Sequence, residues 1–273
     1  MPSKDTASAS ATSAGPAPAP AGYAERSRRP LQIFFFLLPL VVLYEILQPI
    51  YGDFGDGEGA RDIHARRLIF EFFDILGLPW QHVPMLLVLV VLLVWHWRRR
   101  DPFELSPRLY GVMWLESVAW ALPMLAFALV FSRFALAPPA TMDTALSLQA
   151  LSGEPAAGQL PWQSRLVLDI GAGIYEELFF RLIGITLLHL LLVDYLGMKD
   201  GYGTGIAIAI TSVAFAVYHF NADNPFTPAA VTFYTVMGIF LGVLYIHRGF
   251  GIVAAVHTLY DMAESGLQIM HGN

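Results

Sequence analysis

The chain has 273 residues, of which 56% are hydrophobic and only 14% charged, with a formal net charge of -6 and a mean hydropathy of +0.54. So little polar surface cannot coat a soluble globule of this length, so the composition excludes a soluble domain and points to an integral membrane protein. Cysteine is absent, which removes disulfides, thiolate catalysis and Cys-type zinc sites. The lack of a clustered Lys/Arg face argues against nucleic acid as a partner.

Residues 1–30, rich in Ala, Ser and Pro with no apolar h-region, are predicted to be a disordered tail rather than a signal peptide. The first span is predicted at 31–51, entered from Arg26, Arg28 and Arg29, which by the positive-inside rule keeps the N-terminus cytoplasmic in a cell (inner or plasma) membrane. The loop after it carries six acids against three arginines and is expected to face outward, its second half an interfacial amphipathic helix. Its DFGDGEG stretch lacks the alternating ligand spacing and terminal Glu of a calcium loop, so it reads as an acidic loop. A second span at 82–97 ends in Arg98, Arg99 and Arg100 and returns the chain to the cytoplasm. A third, 109–136, contains Glu116 and Pro123 and leads into a loop without Lys or Arg that is expected outside. The fourth apolar region, 165–197, would reach roughly 50 Å at 1.5 Å per residue against a core of about 30 Å, so it must tilt, protrude or break. Further spans are expected near 203–220, 229–247 and 251–270, giving an all-α polytopic bundle of about seven spans.

Ionisable groups inside these spans cost about 2.5 to 3.5 kcal/mol each at a helix centre, so each raises a functional question. Glu177 and Arg181 are spaced i, i+4 and can pair, while Glu176 points about 100° away and is left available. FAVYH places Phe215 and His219 one turn apart, and HTLYD does the same with His257 and Asp261. Glu45 and Glu116 lack an in-helix partner in this reading and are taken as structural or interfacial. Singly, each feature has a plain explanation: Glu177–Arg181 as a structural ion pair, a lone His at an interface, His257–Asp261 as a packing device. Jointly, two carboxylates, an arginine, two histidines and an aspartate fall on three spans of one C-terminal block, and that coincidence points to a site. An enzyme, a non-catalytic membrane scaffold or immunity-like protein, and a proton-coupled transporter are the three classes it allows. The single C-terminal block, rather than two matching halves, counts against the transporter.

EELFFR, FAVYH and HTLYD, in that order, resemble the motifs EExxxR, FxxxH and HxxxN/D of the CPBP family, the type II CAAX prenyl endopeptidases and their bacterial relatives. The resemblance covers about residues 165–265. It divides the chain into the tail (1–30), an N-terminal transmembrane region (31–163) and a CPBP-like protease core (164–273). It implies an intramembrane endopeptidase that hydrolyses peptide bonds of membrane-protein or lipidated-peptide substrates at a polar cavity between helices in the lipid bilayer. By resemblance, Glu176 and His219 activate a water, Glu177 and Arg181 support them, and His257 with Asp261 occupy the pair associated with the oxyanion. These assignments agree with the residues' own chemistry: desolvation among Leu178, Phe179 and Phe180 suits a glutamate to act as a base, and a histidine supplies a donor for an oxyanion. The chain departs from the commonest pattern at Asp261, where an ionised carboxylate accepts but does not donate. Asp261 is therefore expected to orient His257 or to help ligate a metal. The favoured mechanism requires no cofactor. A divalent metal such as zinc, if used, would draw on Glu176, His219 and His257. Counting rise from the cytoplasmic face puts His219 deeper than Glu176 and His257, so a kinked or re-entrant span, or shifted boundaries, is expected.

Overall fold

The computed structural model describes residues 21–52, 83–135, 160–220 and 226–271. The acidic loop with its expected interfacial helix, most of the second external loop and residues 1–20 of the tail lie outside the described residues. Among the described residues every regular element is a helix: α1 (Tyr23–Arg26), α2 (Pro30–Tyr51), α3 (Val83–Arg99), α4 (Pro107–Ala135), α5 (Trp162–Tyr195), α6 (Asp200–Tyr218), α7 (Pro228–Arg248) and α8 (Phe250–His271). The seven long helices stand where the apolar runs predict them. Five of these, α2, α4, α5, α6 and α7, are long and apolar enough to cross a membrane by length and composition. α3 has 17 residues, and α8 carries His257, Asp261 and Glu264 in its middle turns.

Local chemistry sets the helix ends. Pro30 and Pro228 each open a helix, where a missing N–H costs nothing, and the Thr227 hydroxyl caps α7 by accepting from the Ala230 N–H at 3.1 Å. Gly197, at φ 70°, closes α5 with bonds from its own N–H to Val193 and from the Met198 N–H to Leu192. α5 does not break. Its excess length is carried as one 34-residue helix with wider, π-type turns over Glu177–Ile185 and Leu190–Tyr195.

α8 is the centre of the bundle, packing against α2, α4, α5 and α7, while α6 bridges α5 and α7. Ile252 through Val256 on α8 are fully buried, whereas Leu86, Leu87, Val90 and Val91 on α3 point outward, as lipid-facing side chains do. Water gives no drive for helices to associate in lipid, so close approach relies on small residues and internal polar pairs. A Cβ on Gly173 of α5 would lie 2.6 Å from the Thr258 N of α8, and one on Gly238 of α7 would lie 2.9 Å from the Ser212 Cα of α6. Along the same α5–α8 seam, Arg165 donates to Gln268 at 3.0 Å and Ser265 donates to Asp169 at 3.0 Å.

Residues 21–29, the end of the expected tail, are built into the bundle. Glu116 on α4 accepts from both Arg248 nitrogens, Nε and Nη2, and from the Tyr23 hydroxyl, and Trp120 one turn along donates to it at 3.4 Å. Arg248 also donates to Ser27 and lies over the Tyr23 ring. The expectation that Glu116 lacks an in-helix partner is thus corrected: Trp120 is one, and the stronger partners come from elements distant in sequence. Burial and the Glu116 hydrogen bond push the Tyr23 hydroxyl up to about 12, so it stays a donor at any physiological pH. Arg28 donates to the Ile246 carbonyl and Gln32 to that of Glu104. The arginine-bearing ends of α1, α3 and α7 therefore gather at one end of the bundle.

Candidate active site

α5 and α6 form an antiparallel hairpin, and its register builds the site. Glu176 lies 19 residues before the end of α5 at Tyr195, and His219 lies 19 residues after the start of α6 at Asp200. Equal arms bring the two level, and His219 Nε2 is 3.8 Å from Glu176 Oε2. This resolves the depth conflict in the sequence reading. The helices share a common turn rather than a common starting face, so residue counts from one membrane surface mislead.

Glu177 and Arg181 pair at 2.7 Å with both side chains buried. The guanidinium also donates to the Gly238 carbonyl of α7 at 3.4 Å and sits 4.3 Å over the Phe215 ring of α6. One charged group thereby ties α5 to α6 and α7. From α8, His257 bonds through Nδ1 to Glu177 Oε1 at 2.7 Å. An ion-paired carboxylate oxygen only accepts, so Nδ1 carries the proton. The His257 Nε2 then faces Glu176 Oε2 at 3.9 Å and Asp261 Oδ2 at 3.6 Å.

His219 is fixed in the same manner. Its Nδ1 donates to the Phe215 carbonyl at 2.8 Å, which leaves Nε2 directed at Glu176. The ring stacks on Tyr234 of α7 at 4.1 Å and packs against Phe215 at 4.5 Å. Glu176 is buried. His219 and Asp261, at 19% and 20% side-chain exposure, form the more open side of the cluster.

All six residues singled out in the sequence, Glu176, Glu177, Arg181, His219, His257 and Asp261, meet here. Both imidazoles direct Nε2 toward the same oxygen of Glu176, and each has its other nitrogen satisfied. Among the described residues no group of three or more His, Asp or Glu side chains is disposed to hold a metal ion. Sequence reasoning did not single out Tyr218 or Tyr234. Tyr218 stands inside the quoted FAVYH, and its ring meets Phe180 of α5 edge-on at 5.4 Å. Tyr234 lies in an apolar run with no local signal, and Gly173 and Gly238 report their close contacts only in three dimensions.

Buried carboxylates, an arginine and two oriented imidazoles thus meet inside a helical bundle with lipid-facing flanks. Residues 158–263 match the family model for Rce1-like proteins, described as type II CAAX prenyl endopeptidase Rce1-like. That segment runs from just before α5 to two residues past Asp261, and its similarity to this family is consistent with the CPBP resemblance of the motifs. No curated protein and no solved structure matches the chain.

Proposed function

We propose that the protein is an intramembrane endopeptidase that hydrolyses peptide bonds of membrane-protein or lipidated-peptide substrates with a water activated by Glu176 and His219. The observation that carries this reading is the convergence of His219 Nε2 and His257 Nε2 on Glu176 Oε2, at 3.8 and 3.9 Å. These separations are too long for direct hydrogen bonds, and each gap is short enough for an oxygen atom to bridge it. Glu176 then takes a proton from the water as it attacks the scissile carbonyl, and His219, its tautomer set by Phe215, receives or returns that proton at Nε2. Glu177 and Arg181 hold His257 in place. In its doubly protonated form His257 keeps Nδ1–H on Glu177 and offers Nε2–H to the developing oxyanion, and Asp261, an acceptor 3.6 Å from that nitrogen, orients it.

A divalent metal such as zinc would draw on the same three atoms, the two Nε2 and Glu176 Oε2, and would supply Lewis-acid activation of the water. The metal-free reading is the one proposed here; hydrogen bonds that orient each imidazole through Nδ1 serve a water or a metal alike, and the metal-free reading expects turnover that a chelator leaves unchanged. Purified protein in lipid, assayed on a membrane-peptide substrate, tests it. Glu176→Ala and His219→Ala should each abolish turnover while expression and membrane insertion stay near normal. Unaltered cleavage in either variant removes the base assignment.

A further inference from the structure

His219 stands at the C-cap of α6, one residue beyond the end of the helix. Its Nδ1 bond to the Phe215 carbonyl at 2.8 Å fixes one atom of the ring. A ring held at one atom can still rock about it, because the last torsion of a histidine side chain is broad. The restraint on that motion comes from another helix. Tyr234 of α7 lies nearly parallel to the imidazole, with ring centroids 4.1 Å apart and planes 22° apart. Phe215 and Tyr218 of α6 meet the same ring at steeper angles, 57° and 84°. Tyr234 is itself buried, and its ring is flanked by Phe233 at 5.4 Å and Phe220 at 6.1 Å. Gly238, one turn after Tyr234, brings the helices close enough for this stack: its missing side chain lets α7 come against the backbone of Ser212, about two turns before His219 on α6.

We infer that Tyr234 is a positioning residue for the hydrolytic pair: its ring face holds the plane of the His219 imidazole and so keeps Nε2 aimed at Glu176 Oε2. Nε2 lies across the ring from the nitrogen that Phe215 holds, so any tilt about Nδ1 is carried to the 3.8 Å separation from Glu176. A flat, close-packed partner resists that tilt, because rocking drives imidazole atoms into its face. Phe215 then sets the tautomer and Tyr234 sets the plane, one from α6 and the other from α7. The role belongs to the ring face rather than to the hydroxyl, and Tyr234 acts through His219. This inference rests on the proposed role of His219, and the experiment includes His219→Ala to separate the two.

The assay is turnover, by purified full-length protein in lipid, of a synthetic membrane peptide spanning a cleavage position that depends on Glu176. Tyr234→Phe keeps the ring face and is expected to hold kcat within about twofold. Tyr234→Leu stays apolar and removes the face. A misplacement of about 1 Å at a reacting group costs on the order of 100-fold. In Tyr234→Leu, kcat per folded molecule is therefore expected to fall about 10- to 100-fold with KM within about twofold. A residue that only packs would lower the melting temperature and folded yield and leave kcat per folded molecule unchanged, and that result overturns the inference. Equal losses in Tyr234→Phe and Tyr234→Leu overturn it as well, since they assign the role to the hydroxyl. So does a raised KM at constant kcat, which would make Tyr234 a substrate contact. Should Tyr234→Leu fold poorly, Tyr234→Met replaces it, because its flexible chain fills the space without a flat face. Equal kcat in the Phe and Met variants then overturns the inference. Full activity in His219→Ala removes the role of His219 and this inference together, whereas an inactive His219→Ala beside a fully active Tyr234→Leu removes only the role of Tyr234.

Discussion

Gly173→Ala tests how the site is assembled. The added methyl would stand 2.1 Å from the Thr258 Oγ1, 2.6 Å from its N and 2.8 Å from its Cα. The hydroxyl can rotate away, but the backbone atoms cannot. Ordinary van der Waals contact begins at 3.4 Å, so α8 must back away from α5 by about 0.8 Å. His257 is the neighbour of Thr258, and its 2.7 Å bond to Glu177 would stretch to roughly 3.5 Å, the limit of hydrogen bonding. Overpacking of this kind costs about 1 to 3 kcal/mol of stability, and a shift of this size at the reacting groups costs on the order of 100-fold in rate. The assay is turnover by purified Gly173→Ala protein in lipid, with its melting temperature measured alongside. A variant with wild-type melting and a rate within about twofold would refute the claim that this contact sets the His257–Glu177 geometry.

Arg181→Ala removes the guanidinium paired with the buried Glu177 carboxylate and leaves it the His257 bond, at about 3 to 5 kcal/mol, so folded yield should drop along with activity. A well-folded variant with only a kinetic defect would show that the pair is not structural. Asp261→Asn separates two chemistries. A shared donor role with His257 predicts a preserved or raised rate that is indifferent to chelator, whereas a metal site predicts a loss of about 10- to 100-fold, partly restored by zinc. Reporter fusions should place residues 98–104 in the cytoplasm and residues 140–160 outside, as the arginine distribution requires. A cytoplasmic signal from 140–160 would show that the first three spans are miscounted.

The helices were largely legible because their signal is local. An apolar run must become a helix in lipid, and proline, glycine and arginine mark its ends. The six site residues were legible for a related reason: each is a polar group in an apolar run, and i, i+4 spacing already pairs Glu177 with Arg181 and His257 with Asp261. What joins them across helices was not legible. The meeting of Glu176 with His219 depends on the 19-residue arms of the α5–α6 hairpin. Counting rise from a membrane face misses that relation. The partners of Glu116 come from Tyr23 and Arg248, one inside an Ala/Pro-rich tail and the other 132 residues away, so composition hid the first and sequence distance the second.

The central claim is that Glu176 drives peptide-bond hydrolysis in the membrane. Its most direct test is a comparison of protein termini in membrane fractions from cells carrying the wild-type chain or Glu176→Gln, which keeps the side chain's shape and removes its basicity. The expected result is a set of new termini, in or beside apolar segments, present with the wild-type chain and absent with the variant. Identical termini in both, with the two proteins at equal abundance in the membrane, would contradict the claim.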